Sequence, residues 1–344
     1  MARGFGDFAN YDESDVRTRP GKGSRPRTKD RPLHKDAVAG MVVTKDRGRW
    51  GVVIDGTGAV VQCMRARELK RVSVEVGDRV GVVGDTSGAK DTLARIVRRE
   101  ERTSVLRRTA DDTDPYERII VANAELLLIV VAVADPPPRT GFVERALIAA
   151  FVGGVKPVVC LTKSDLADPA IFRAELEDLD VEVFEVGIDD PIGDLTALTR
   201  DRLSALIGHS GVGKSTLVNR IVPDAQRATG EVSGVGKGRH TSTQSVALQL
   251  PGGGWIIDTP GIRSFGLAHV SPEEIIQVFP DLDEAAEGCP RGCTHLGPPA
   301  DPECAWDALD PGTVTWRRAQ AVRRLLEALR SNNEWDLKQL EEER

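Results

Sequence analysis

Eight consecutive residues, Gly208-His-Ser-Gly-Val-Gly-Lys214-Ser215, match G-x-x-x-x-G-K-[S/T] at every fixed position. A loop of this kind needs a strand before it and a helix after it, and the flanking segments LSALI and STLVNRIV read that way. Glycines let backbone N–H groups approach an anion with no Cβ between them. The start of the following helix adds favourable electrostatics for negative charge. Lys214 is placed to meet the β- and γ-phosphates of a nucleotide and is the candidate catalytic cation; Ser215 is placed to ligate Mg²⁺. The candidate phosphate-binding set is Gly208, His209, Ser210, Gly211, Val212, Gly213, Lys214, Ser215 and Thr216, with the His209 side chain expected to point away from the nucleotide.

The surrounding pattern supports an α/β sheet. Apolar runs recur at 124–134, 157–161, 181–186, 203–207 and 254–257, with helix-like stretches such as VERALIAAFV between several of them. That alternation implies parallel strands with helices on both faces. Residues 36–105 differ: MVVTK, WGVVID, AVVQCM and DRVGVVG are short β-type runs separated by glycine turns, which suggests a small barrel of the OB type. Trp50 is its only aromatic residue, so a nucleic-acid role for this segment would rest on Arg47, Arg49, Arg65, Arg67 and Arg71. Residues 1–35 contain little that could form a core and read as a disordered basic tail, either solubilising or in contact with RNA.

Two further stretches complete a nucleotide site. Trp255-Ile-Ile-Asp258-Thr-Pro-Gly261 is a strand ending in D-x-x-G; Asp258 can hold Mg²⁺ through water and the Gly261 N–H can meet a γ-phosphate. Between the phosphate loop and D-x-x-G, residues 228–243 are glycine-rich and lack periodicity, as suits a loop ordered by that phosphate. One hydroxyl among Thr241, Ser242 and Thr243 is expected to reach Mg²⁺. Upstream, Thr162-Lys163-Ser164-Asp165 ends the apolar run PVVCL. A base-binding loop belongs at that carboxyl edge of a sheet. Asp165 can accept two hydrogen bonds from guanine, and the Lys163 stem can cover the base. The base loop thus precedes the phosphate loop in the chain, the reverse of the ordinary order.

Cys289, Cys293, His295 and Cys304 form a compact Cys₃His set that suits one structural, tetrahedral Zn²⁺. Cys63 and Cys160 lie in strand-like segments and read as small core residues. In Thr315–Arg330, Trp316, Val322, Leu325, Leu326 and Leu329 recur at helical spacing and read as core contacts. Arg317, Arg318, Arg323, Arg324 and Arg330 among them form either a solvated face or a surface for RNA phosphates. The net charge of −7 argues against nucleic-acid binding through overall charge. The longest apolar run, Leu126–Ala134, is about half the roughly 20 residues a membrane span needs. The first residues lack the layout of a secretory signal, so a cytoplasmic location is expected, with no membrane partner.

LTKSDL, GHSGVGKSTL, GKGRHTST, DTPGIRSFGL and CPRGCTH together resemble the circularly permuted, ribosome small-subunit-dependent GTPase family. The resemblance runs from about residue 36 to the end of the chain. It implies a multidomain fold: an N-terminal OB-fold β-barrel (36–105), a circularly permuted α/β P-loop GTPase domain (106–268) and a mostly helical, zinc-binding C-terminal domain (269–344). It implies GTP hydrolysis to GDP during late maturation of the small ribosomal subunit, with that subunit and its rRNA as partners and release on hydrolysis; a monomeric chain is expected. This sequence departs from the family pattern at three places. Thr162 stands where Asn is usual, with fewer groups to brace the phosphate loop. The Ser-Ala type signature of the second base loop is missing near Val186, Gly187 and Ile188. The cysteine spacing is C-x3-C-x-H-x8-C rather than close to C-x4-C-x-H-x5-C. Ile262, after D-x-x-G, cannot orient water; His240 is the candidate that could, or else it is an exposed loop residue. Slow hydrolysis alone and faster hydrolysis on the partner are therefore expected. The alternatives are a GTP-gated RNA-binding module with incidental hydrolysis, and a P-loop ATPase in nucleic-acid or metal handling.

Overall fold

The computed structural model describes residues 34–69, 72–109, 116–223, 245–259 and 266–330. Five short strands open it: β1 (Val38–Asp46), β2 (Arg49–Ile54), β3 (Val60–Arg65), β4 (Arg79–Val83) and β5 (Ala94–Arg99). They pair in the order β1-β2-β3-β5-β4, and β1 pairs again with β4, so the sheet closes on itself. Closure removes the open edges that an isolated small sheet would present. Alternate residues such as Val42, Val52, Val61, Val80 and Ile96 point inward and form its own apolar core. The β5 strand was not among the four runs read from the sequence, because Arg95, Arg98 and Arg99 interrupt its apolar pattern. Trp50 is only 6% exposed and donates its indole N–H to the Val74 carbonyl at 3.0 Å. It is a core residue of the barrel and offers no face for base stacking.

A hairpin of β6 (Val105–Arg108) and β7 (Arg118–Ala122) leads into β8 (Leu126–Ala132), α1 (Thr140–Val152) and β9 (Lys156–Thr162). After them come α2 (Ala170–Leu176), β10 (Glu182–Glu185), α3 (Gly193–Thr199), β11 (Leu203–Ile207) and α4 (Lys214–Ile221). The strands β12 (Val246–Gln249) and β13 (Trp255–Asp258) follow. The spatial order is β10-β9-β8-β11-β13-β12. The first five are parallel, whereas β12 is antiparallel to β13, so the sheet is mixed rather than wholly parallel. At its edge β12 meets β1 of the barrel through the pair Thr44 and Val246.

All seven residues of β8 are buried. With side chains alternating between faces, Leu127, Ile129 and Val131 join one apolar cluster and Leu126, Leu128 and Val130 the other. The first face is covered by Val143, Ala146 and Leu147 of α1, the second by Leu217, Val218 and Ile221 of α4. Burying each such leucine or valine contributes roughly 1.5–3 kcal/mol. Two-sided burial is why β8 reads as an unbroken apolar run. Cys160 lies on the second face, and Cys63 inside the barrel; burial pushes both thiols up to about 12.

The remaining residues form α5 (Pro272–Ile276), α6 (Pro280–Ala286) and α7 (Val314–Arg330). A reciprocal capping box starts α5: Ser271 Oγ accepts from the Glu274 N–H, and Glu274 Oε2 accepts from the Ser271 N–H. Val322, Leu325 and Leu326 of α7 are buried in the cluster that α1 covers. Arg145 of α1 donates to the Ala328 carbonyl at 2.8 Å. Among the described residues no helix is long and apolar enough to cross a membrane.

Candidate functional site

The site forms at the carboxyl ends of β8, β9, β11 and β13. The chain leaves β11 at Gly208, where an added Cβ would lie 2.5 Å from the Val130 carbonyl; no side chain fits there. The loop then turns into α4, whose first residue is Lys214. Lys214 Nζ donates to the Gly208 and His209 carbonyls at 2.5 and 2.7 Å, which holds the ammonium inside the curve of the loop. Ser210, Gly211, Ser215 and Thr216 form its exposed rim. The His209 ring stands against Phe142 of α1, with centroids 4.3 Å apart. Burial, together with the charges of Arg139 and Lys214, pushes its pKa down to about 4, so the ring is neutral near pH 7.

Asp258, the last residue of β13, pairs in register with Leu206 of β11. Burial raises its carboxyl above the usual range, and the Lys214 charge opposes the shift. Lys214 is lowered by burial and held up by Asp258. Thr259 fastens this strand end by donating its hydroxyl to the Leu206 carbonyl at 2.6 Å. Asp258 and Lys214 therefore share one desolvated pocket. Gly261, Ile262, His240, Thr241, Ser242 and Thr243 lie outside the described residues, as does Arg71.

The base-loop candidates reach the same pocket from β9. Thr162 is 5% exposed. Its hydroxyl donates to the Val212 carbonyl of the phosphate loop at 2.6 Å, with the Val131 carbonyl at 3.2 Å beside it. Thr162 thus braces the phosphate loop directly with its one hydroxyl, although it has fewer groups for this than the usual Asn. Lys163, in the left-handed region at φ 59°, donates its ammonium to the Asp135 carbonyl. Asp165 is exposed and accepts no side-chain hydrogen bond among the described residues. Two residues outside the motifs enter the arrangement. Asp190 accepts from the Ser164 hydroxyl at 2.7 Å. Arg220 of α4 donates to the Gly187 carbonyl at 2.6 Å. No sequence signal marked either, because their partners are distant in the chain.

The Cys₃His residues converge in the C-terminal part of the chain. Their ligand atoms all lie within 4.8 Å of one another. His295 Nδ1 is 3.5 Å from the Cys289 sulfur and 3.9 Å from those of Cys293 and Cys304. Tetrahedral zinc with ordinary Zn–S and Zn–N bonds places such atoms about 3.6 Å apart. Burial raises the Cys289 and Cys293 thiols, while the Ala305 N–H aimed at Cys289 Sγ and the His295 N–H aimed at Cys293 Sγ, at 3.3 and 3.4 Å, oppose that shift. The set is compatible with zinc in both chemistry and spacing.

A glycine-rich loop on a parallel strand, tied by a hydroxyl to a guanine-type base loop that comes earlier in the chain, defines a circularly permuted P-loop GTPase. Comparisons with known proteins agree. The chain belongs to the RsgA GTPase family, whose model matches residues 99–268. It is 35% identical over 305 residues to a Chlorobaculum parvum protein named small ribosomal subunit biogenesis GTPase RsgA, covering 84% of this chain and 97% of that one. A Vibrio vulnificus protein, small ribosomal subunit biogenesis GTPase RsgA 1, is 31% identical over 319 residues, covering 88% and 87%. The crystal structure of YjeQ from Thermotoga maritima superposes with a TM-score of 0.63 at 25% identity, covering 86% of this chain and 99% of that one. That of YloQ, described as a circularly permuted GTPase, shares the fold with a TM-score of 0.61 at 23% identity, covering 87% and 98%.

Proposed function

We propose that this GTPase acts on the small ribosomal subunit during its late maturation, binding in the GTP form and leaving after hydrolysis to GDP and phosphate. The observation that carries the nucleotide part is the Thr162–Val212 hydrogen bond, which holds base loop and phosphate loop in one pocket. Asp165 accepts from guanine N1 and N2, and the Lys163 stem lies over the base. A site built for such bonds rejects adenine strongly, because the wrong base leaves the carboxylate unpaired. An ATPase reading would rest on Thr162 and on the missing second base-loop signature; the Thr162–Val212 bond gives Thr162 a bracing role that any P-loop nucleotide site can use.

The backbone N–H groups of Gly208–Thr216 hold the phosphates, and Lys214 places positive charge where negative charge builds on the phosphate oxygens during transfer. Ser215 and Asp258 offer the hard oxygen donors that suit Mg²⁺, which when bound would neutralise charge between the β- and γ-phosphates. Gly261 would meet the γ-phosphate, one of Thr241, Ser242 and Thr243 would add a ligand to Mg²⁺, and His240 is the candidate for positioning the attacking water. The division into a barrel at 36–105, a GTPase domain at 106–268 and a zinc-bearing domain at 269–344 belongs to the same reading, with Cys289, Cys293, His295 and Cys304 as zinc ligands.

GTP turnover by the purified chain, with and without isolated small subunits, tests the proposal. The expected result is slow turnover alone and a rise on the order of 10³-fold or more with subunits. Turnover that subunits leave unchanged would overturn the assignment of partner. A His240→Ala variant with undiminished stimulation would remove that residue from the mechanism.

A further inference from the structure

The loop after β10 is where a second base contact belongs in a GTP site, yet it lacks the expected residues. The structure shows how this chain holds it instead. Asp190 Oδ2 accepts from the Ser164 hydroxyl and from the Gly187 N–H, both at 2.7 Å. The Asp190 N–H donates back to the Gly187 carbonyl at 3.1 Å, closing the turn. A Cβ at position 187 would lie 2.4 Å from Ser164 Oγ and 2.8 Å from Asp190 Oδ2, so a side chain there would push the hydroxyl and carboxylate off their hydrogen bond. On the far side, Arg220 occupies three carbonyls, those of Gly187 at 2.6 Å, Val186 at 3.2 Å and Asp190. Arg220 sits near the end of α4, whose first residue is Lys214. One short helix therefore carries Lys214 in its first turn and grips the Gly187–Asp190 loop with its last.

We propose that Asp190 is a positioning residue for guanine recognition, holding Asp165 in register through Ser164, with Arg220 locking the Asp190 loop to the phosphate-site helix. The inference rests on the GTP-binding reading above. Asp165 has no side-chain bond of its own among the described residues, so its placement depends on the loop that carries it. Reading two donors on one edge of a base needs that carboxylate held to within about 0.5 Å. Ser164, its neighbour in the chain, supplies the anchor through a hydrogen bond to an ionised acceptor, which is stronger than a neutral one. Arg220 bonds the Asp190 backbone carbonyl and not its carboxylate, leaving Oδ2 for Ser164 and Gly187.

Calorimetric affinities of the full chain for GDP, IDP and ADP test this. IDP lacks the exocyclic amine, so the GDP-to-IDP ratio reports one of the two bonds made by Asp165. The wild type is expected to prefer GDP over both. Asp190→Ala, Ser164→Ala and Arg220→Met should each weaken GDP by about tenfold or more and IDP by clearly less, so the ratio contracts. The Ser164→Ala/Asp190→Ala double variant should be no worse than Asp190→Ala alone, as residues in one hydrogen-bond chain are not additive. A ratio that stays within about twofold of wild type, or an equal loss for all three nucleotides, overturns the proposal. If Asp190→Ala fails to fold, Ser164→Ala, which removes one hydroxyl, decides the matter by the same ratio. A wild type that binds GDP and ADP equally would instead defeat the guanine-site reading.

Discussion

The barrel and α7 both carry arginines that the sequence leaves open for RNA, and the structure treats them in opposite ways. In the barrel, Arg47, Arg49 and Arg67 are exposed and make no side-chain hydrogen bond or ion pair among the described residues, while Arg65 donates only to the Val72 carbonyl. In α7 the charge is spent within the molecule. Arg318 spans Asp281 at 2.7 Å and Asp180 at 2.9 Å. Arg323 joins Asp307 at 2.7 Å to the His295 carbonyl at 2.9 Å and reaches the Cys304 sulfur at 3.7 Å. Arg317 pairs with Asp178 at 3.0 Å. An arginine run thus says nothing about its partner until the acids around it are known. Here Arg47, Arg49 and Arg67 are left without internal partners among the described residues, and α7 uses three of its arginines to tie it to the turn after α2, to α6 and to the cysteine cluster.

The contrast can be broken or sharpened by experiment. The largest effect is expected from removing the metal. Structural zinc contributes on the order of 10 kcal/mol in small isolated domains. A strong chelator, or His295→Ala, should raise hydrogen exchange across residues 266–330 while strands β1–β5 keep their protection. Purified protein without stoichiometric zinc would remove this half of the comparison. Arg318→Met comes next: it leaves Asp281 without its cation in a half-buried site and should cost about 1–2 kcal/mol in denaturant unfolding, after allowing for solvent screening. If that variant kept its stability and lost subunit binding, α7 would be an RNA surface after all. Thr162→Ala should weaken GDP by about 1–2 kcal/mol in calorimetry, because the Val212 carbonyl loses its donor. Combined Arg47→Ala, Arg49→Ala and Arg67→Ala should have the smallest effect on stability, within about 0.5 kcal/mol per site. The same variant should flatten the salt dependence of subunit binding by a slope of about 2–3 if those side chains meet phosphates. An unchanged slope would place the RNA contact elsewhere.

Much of the site was legible because its parts are contiguous. The phosphate loop, the end of β13 and the base loop each need a few neighbouring residues whose backbone geometry is local. The β8 run and the α1 and α7 periodicities were legible for the same reason: burial on two faces or one stripe writes a short-range pattern. The mixed direction of the sheet was hidden, since a short strand such as β12 reads alike whichever way it runs. Trp50 could be counted from sequence but not placed; only the closed barrel puts its ring inside.

What the amino-acid order determined by itself is the set of groups available: a P-loop motif, a T-K-S-D stretch that ends an apolar strand, a Cys₃His donor set, and the permuted order in which they come. Tertiary structure alone decided how those groups are held. Thr162 became a brace because Val212 lies across from it, Ser164 found Asp190, and Arg323 found the cysteine cluster. The physical reason is separation along the chain. A motif is a property of neighbours bonded in sequence, whereas a brace is a hydrogen bond between residues that only packing brings within 3 Å or so of each other.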